Sequence, residues 1–198
     1  MLALKYSPKA VEPICKLLEK LKTENLMFIL KQTNREGWNA LMLAVTSAPK
    51  AVGLICELLK KLDRTNLASI LQQTNGQNSN ALMLAAEYAP EAVEPICKLI
   101  KKLSGINLTF ILEPTNKDNL NALMLAATCF PEAVEPICKL LKKLDRTNLA
   151  SILKQTDKDN LNALILAAKY YGSKAVEPIC ELLKNLDPAD LPFILKKR

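Results

Sequence analysis

The sequence predicts an all-α helical-repeat solenoid, and three observations carry that expectation. First, Asn-Ala-Leu-Met-Leu-Ala occurs at 39–44, 80–85 and 121–126, and returns with Ile for Met at 162–167, so one unit recurs every 41 residues. Second, 49% of the residues are apolar while only 5% are aromatic, and the apolar content is mostly Leu and Ala, which favours helices. Third, the apolar residues within each period recur at helical spacing.

The 198 residues read as a single repeat domain, with full units at 40–80, 81–121 and 122–162 between partial units at 1–39 and 163–198. Leu2-Ala3 aligns with Leu43-Ala44, so the first unit enters midway through its first helix. That start reads as an array cut from a longer protein, or as a degenerate cap.

Each unit predicts three helical segments. The first, N-A-L-M-L-A-A, stops before Pro49, Pro90 or Pro131, and Asn39, Asn80, Asn121 and Asn162 stand where an N-cap belongs. The second is A-V-E-P-I-C-K-L-L-K-K-L. In 92–103 its apolar residues are Val93, Ile96, Cys97, Leu99, Ile100 and Leu103, which form one buried face. Pro95 fits if it falls near the first turn. The third is shorter, as in D-R-T-N-L-A-S-I-L. Asp63, Ser104, Asp145 and Asp187 are its expected N-caps, and Pro188 occupies a favoured first helical position. A turn then holds Gly37, Asn78, Asn119 or Asn160 at one position. Gly and Asn visit the left-handed region cheaply, so positive φ is expected at all four. No unit buries its apolar face alone, so neighbours must stack.

Composition narrows the function classes. No apolar run approaches the roughly 18–20 residues that span a bilayer, so no membrane insertion is expected. The N-terminal M-L-A-L-K-Y-S-P-K-A lacks the pattern of a signal peptide. Histidine is absent, which removes the commonest general base. Five scattered glycines form no phosphate-binding loop. No catalytic set, metal site or cofactor is read, and the chain is not expected to be an enzyme. Five of the six cysteines, Cys15, Cys56, Cys97, Cys138 and Cys180, share one repeat position on the apolar stripe; Cys129 stands apart. They read as reduced core thiols and point to a cytosolic or other intracellular setting.

The phrase D-K-D-N-L-N-A-L-I-L-A-A at 157–168 resembles the ankyrin-repeat phrase D-x-x-G-x-T-P-L-H-x-A-A, and A-V-E-P-I-C-K-L-L resembles the ankyrin second helix. The resemblance covers about 33 of every 41 residues over nearly the whole chain. Three departures stand out. Asn-Ala replaces Thr-Pro, Met replaces His, and about eight added residues form a third helix. They put the family's β-hairpin finger in doubt. HEAT or armadillo units also fit by length, though their helices are usually longer than this first segment. The ankyrin-like reading implies about five units of two helices plus a short third helix, acting as a protein-binding scaffold. Near-identical expanded arrays also resemble modules of effectors that intracellular bacteria deliver into host cells.

Positions that vary between units are free of the packing duty. Three lie together after L-A-A: Lys5-Tyr6-Ser7, Thr46-Ser47-Ala48, Glu87-Tyr88-Ala89, Thr128-Cys129-Phe130 and Lys169-Tyr170-Tyr171. The resemblance puts this stretch on the concave binding face. The candidate binding residues are therefore Tyr6, Glu87, Tyr88, Thr128, Phe130, Lys169, Tyr170 and Tyr171, with Trp38 in the preceding turn. Against that, they plug gaps between helices; Leu120 and Leu161 replace Trp38 in later units, which predicts a half-buried packing role for it. Tyr6, Tyr88 and Tyr170 recur every 82 residues, and Phe28, Ser69, Phe110, Ser151 and Phe193 alternate in the third helices. The array reads as a doubled two-repeat block, and the alternation predicts that the phenylalanines fill the core beside serines.

Net charge is +7, and Lys20, Lys60, Lys61, Lys101, Lys102, Lys142, Lys143 and Lys184 line the second helices. The row reads first as the solvated back of the helices and second as a phosphate track, which makes a modular nucleic-acid binder the first rival to a protein partner. The other rival is a structural or self-assembling array, designed or natural. The Gly172-Ser173 insertion and Gly53-Leu54 in place of Glu-Pro look natural. The apolar edge at the cut N-terminal end permits end-to-end stacking.

Overall fold

The computed structural model describes residues 7–195. Among them are 14 α-helices and three single turns of 3-10 helix, and the one β pairing is an isolated bridge between Thr33 and Asn39. The first described repeat holds α1 (Val11–Leu18) and α2 (Thr23–Lys31). The next holds α3 (Ala40–Ser47), α4 (Val52–Leu59) and α5 (Arg64–Leu71). Then come α6 (Ala81–Tyr88), α7 (Pro90–Ile100) and α8 (Ile106–Leu112), followed by α9 (Ala122–Cys129), α10 (Val134–Leu141) and α11 (Arg146–Lys154). The last repeat holds α12 (Ala163–Tyr170), α13 (Ser173–Leu183) and α14 (Leu191–Leu195).

The contacts divide the chain into two compact units, Met1–Leu103 and Ser104–Arg198. In the first, α1 packs on α4, α4 on α7, α3 on α6 and α2 on α5. In the second, α9 packs on α12, α10 on α13 and α11 on α14. Like packs on like at every such junction, one period apart. Each unit is a stack of helical repeats, and the chain is of the all-α helical-repeat solenoid class.

The first helices are apolar all round and accordingly buried. In α3, Leu41 to Val45 are all covered; in α6 and α9 the run extends from the first Ala through L-M-L-A-A. Their N-termini are capped as expected. The side-chain oxygens of Asn39, Asn80, Asn121 and Asn162 accept from the amides of Met42, Met83, Met124 and Ile165. The same asparagines do more. The Asn39 amide donates to the Ile70 carbonyl at 3.2 Å and to Gln73 Oε1 at 2.9 Å. Asn121 donates to the Ile152 carbonyl and to Gln155, and Asn162 to the Ile194 carbonyl. One buried side chain thus caps the first helix and ties the end of the third helix to it.

The turns follow one pattern. Asn34, Asn75, Asn116 and Asp157 each accept two backbone amides on the side-chain oxygen, from residues two and four further on. Such Asx turns mimic a backbone turn locally. They set up the positive φ that follows: 80° at Gly37, 62° at Asn78 and Asn119, and 60° at Asn160. Gly37 is held to glycine for a second reason. A Cβ there would stand 2.9 Å from the Thr74 carbonyl oxygen of the next turn.

Five expectations need correction, the last of them at Cys180. Ser104 is not a cap. Gly105 takes that place with φ 58° and ψ −140°, a region that is nearly glycine-only. Asp187 accepts from the Ala189 amide and opens a turn, 188–190, so Pro188 lies in that turn and α14 starts only at Leu191. Pro95 and Pro178 lie inside α7 and α13, because those helices run continuously from Pro90 and Ser173. The phenylalanines do not fill the core: Phe28, Phe110 and Phe193 are exposed by 66%, 53% and 57%. Phe28 lies two residues from Leu26 and from Leu30, and both are buried. Two residues are about 200° of helical rotation, which turns the ring to solvent. Phe110 stands in the same relation to Leu108 and Leu112. The Lys154 ammonium sits 5.0 Å from the Phe193 ring.

Of the five cysteines at the shared repeat position, Cys15, Cys56, Cys97 and Cys138 are buried and Cys180 is exposed; Cys129, which stands apart, is half-buried. Cys180 departs from the core reading because no described residue stacks over that side of α13. Burial pushes the thiols of Cys56, Cys97 and Cys138 up to about 12.

Candidate protein-interaction surface

The variable cluster lies where each buried first helix emerges from the core. Its position follows from length. Eight residues of helix rise about 12 Å, so the residues after L-A-A stand well away from the turn that enters the helix. Trp38, in that entry turn, is therefore separated from the cluster of its own repeat. It is half-buried, with its amide donated to Asn34 Oδ1 at 2.9 Å and its carbonyl accepting from the Asn34 amide at 3.0 Å.

In two clusters of the first unit, those ending at Ala48 and Ala89, the second position points out and the third tucks in. In the first unit, Tyr88 ends α6 and is 58% exposed, Glu87 is half-buried, and Ala89 is buried. In the preceding repeat Ser47 is exposed and Ala48 buried. Tyr6 lies outside the described residues.

In the second unit, two clusters come together because α9 packs on α12. The Tyr171 hydroxyl donates to the Cys129 carbonyl at 2.5 Å, one repeat back. Thr128 donates its hydroxyl to the Met124 carbonyl at 2.7 Å, and Phe130 is half-buried. Tyr170 is exposed, and the Lys169 ammonium lies 5.1 Å from its ring, within reach of a cation–π contact. The members therefore divide. Thr128, Phe130 and Tyr171 are partly engaged by the fold, while Lys169 and Tyr170 face solvent.

The lysine row is mostly exposed, with Lys101 half-buried, and part of it serves the repeat junctions. The Lys61 ammonium donates to the Glu19 carbonyl at 3.1 Å, and Lys102 to the Lys60 carbonyl at 3.4 Å. Each satisfies the open C-terminal end of the preceding second helix and meets its negative dipole end. Lys60 and Lys184 pair with Glu57 and Glu181. A groove of about 670 Å³ between α10 and α13 is lined by four lysines and three glutamates, so its charge is nearly balanced rather than uniformly basic. Among the described residues no group of three Cys, Asp or Glu side chains is placed to hold a metal ion. No helix there is long and apolar enough to cross a membrane.

Sequence reasoning did not find the second bonds of the capping asparagines, the back-donation by Gln73, Gln155, Lys61 and Lys102, or the outward phenylalanines. The repeated Gln at 73 and 155 was the available signal for the back-donation: its Nε2 donates to the Lys31 and Glu113 carbonyls of the preceding repeats, each at 2.9 Å.

The chain matches no family model and no curated protein.

Proposed function

We propose that this chain is a protein–protein interaction scaffold that presents variable residues at the exits of its first helices. One observation carries the reading: Tyr88 and Tyr170 are large, exposed aromatics at a position that varies between repeats, at the ends of helices that begin in the core, with Ala81 to Ala86 buried ahead of Tyr88 and Ala163, Leu166 and Ala167 ahead of Tyr170. Aromatic side chains dominate binding energy at protein interfaces, and a preformed mount reduces the ordering cost of association. Glu87 accompanies Tyr88 in the first unit, and Lys169 with the partly covered Phe130, Thr128 and Tyr171 accompanies Tyr170 in the second. The ankyrin-like kinship belongs to this proposal, and the repeated phrases support it. An intracellular setting, including delivery into a host cell, fits the free thiols.

The test is an affinity pull-down from a eukaryotic lysate at moderate salt, with and without nuclease. The wild type is compared with a Tyr88→Ala/Phe130→Ala/Tyr170→Ala variant. The wild type is expected to retain a discrete protein after nuclease. The variant should lose at least about tenfold of it, since a buried aromatic anchor contributes about 2 kcal/mol or more. Recovery of nucleic acid alone, unaffected by the variant, would replace this reading with the lysine row on phosphates.

A further inference from the structure

Four apolar residues of the first described repeat are open to solvent although their counterparts elsewhere in the first unit are covered. Ile14, Leu17, Leu21 and Ile29 are exposed by 40%, 65%, 37% and 41%. One period on, Ile55, Leu58, Leu62 and Ile70 are exposed by 3%, 0%, 7% and 1%. The cause is visible in the junctions. α4 is covered by α1, and α5 by α2, so each repeat covers the same stripe of the next. On α1 and α2 that stripe has no described residue stacked on it.

The last repeat shows the converse. Cys180, Ala168 and Leu195 are exposed, whereas Cys138, Ala127 and Leu153, one repeat earlier, are buried. This is the side that α9, α10 and α11 present to α12, α13 and α14. The chain therefore carries, at its two ends, the two halves of an interface that it already makes three times within its units.

The polar register is unfilled in the same way. Lys61 and Lys102 each donate back to the end of the preceding second helix. Their counterpart in the first repeat is Lys20, and the matching acceptor at the other end is the carbonyl of Lys184. Gln32 is the counterpart of Gln73, and it folds back onto its own Phe28 carbonyl at 3.3 Å.

We propose that a second copy of this chain docks head to tail, so that α12 and α13 of one copy cover Ile14, Leu17 and Leu21 of the next. Lys20 then donates to the Lys184 carbonyl of the other copy, as Lys61 does to Glu19 within the chain. Two features argue for a second copy over an unrelated protein: the occupant of this stripe inside the chain is always another repeat, and the complementary side is exposed on the same molecule. The contact is heterologous, so copies add head to tail with concentration until a ring closes.

Sedimentation velocity of the 198-residue chain, from low to high micromolar concentration, tests this. The wild type is expected to rise in average mass past the dimer. Leu17→Glu and Cys180→Glu alter exposed residues on opposite sides, and far-UV circular dichroism checks that each remains folded. Each variant alone should stay monomeric. Mixed in equal amounts they should form a dimer and stop there, since each supplies the half that the other lacks. Tyr88→Ala, on α6 and outside the docking helices, should self-associate like the wild type, which separates this contact from the proposed partner surface. A wild type that stays monomeric throughout, an assembly that Cys180→Glu leaves intact, or a mixture that stays monomeric would each overturn the proposal.

Discussion

Replacing Asn39 with alanine is expected to destabilise the first unit by about 2–4 kcal/mol. The side chain is fully buried, and three bonds converge on it: from the Met42 amide, to the Ile70 carbonyl and to Gln73 Oε1. Loss of an N-cap alone costs about 1 kcal/mol. The buried Ile70 carbonyl would then lose a partner, at a further cost of about 1–3 kcal/mol. Gln73 also donates to the Lys31 carbonyl, so the same side chains connect one repeat to the one before it. Gln73→Ala should cost only about 1 kcal/mol, because its site is half-exposed and water can replace it. Urea denaturation of the two single variants and the double variant measures both effects and their coupling. An Asn39→Ala midpoint indistinguishable from wild type would show that the asparagine does not hold the three helices together.

The second large effect is alkaline unfolding. Burial raises the thiols of Cys56, Cys97 and Cys138 from 9.0 to about 12. Below pH 9 both folded and unfolded chains keep these protons, and the contribution to stability is fully present. Above it, the unfolded chain releases protons that the folded chain retains, so stability falls as pH rises toward about 12. The midpoint of urea unfolding should therefore drop between about pH 8 and about pH 10.5, and Cys97→Ser should reduce the drop because serine does not ionise there. Equal slopes for wild type and Cys97→Ser would assign the alkaline loss to other groups.

Much of the fold was legible because it depends on local chemistry. Asn39, Asn80, Asn121 and Asn162 cap helices for a reason contained in a few residues, and Gly37, Asn78, Asn119 and Asn160 have positive φ because few residue types tolerate it. The eleven-residue α7 is long enough for its apolar spacing to define one buried face. The third helices are harder. α8 has seven residues and α14 five, fewer than two turns, so the apolar spacing leaves the outward side of Phe110 and Phe193 undecided. Their orientation is set by packing on neighbouring helices, which a linear pattern does not contain. The repeat comparison located the candidate surface after the first helices. It did not separate Tyr88 and Tyr170, which point out, from Tyr171, whose hydroxyl is committed to the Cys129 carbonyl. That division depends on a contact spanning one repeat.

In the proposed function the exits of the first helices, not the lysine-bearing second helices, meet the partner. Site-specific photo-crosslinking tests it most directly. A photoreactive phenylalanine analogue is placed in turn at Tyr88, Tyr170 and Lys142, and each protein is irradiated in a nuclease-treated eukaryotic lysate. Discrete protein adducts from the first two positions, with none from Lys142, are the predicted result. Adducts from Lys142 alone would contradict the account and move the working surface to the second helices.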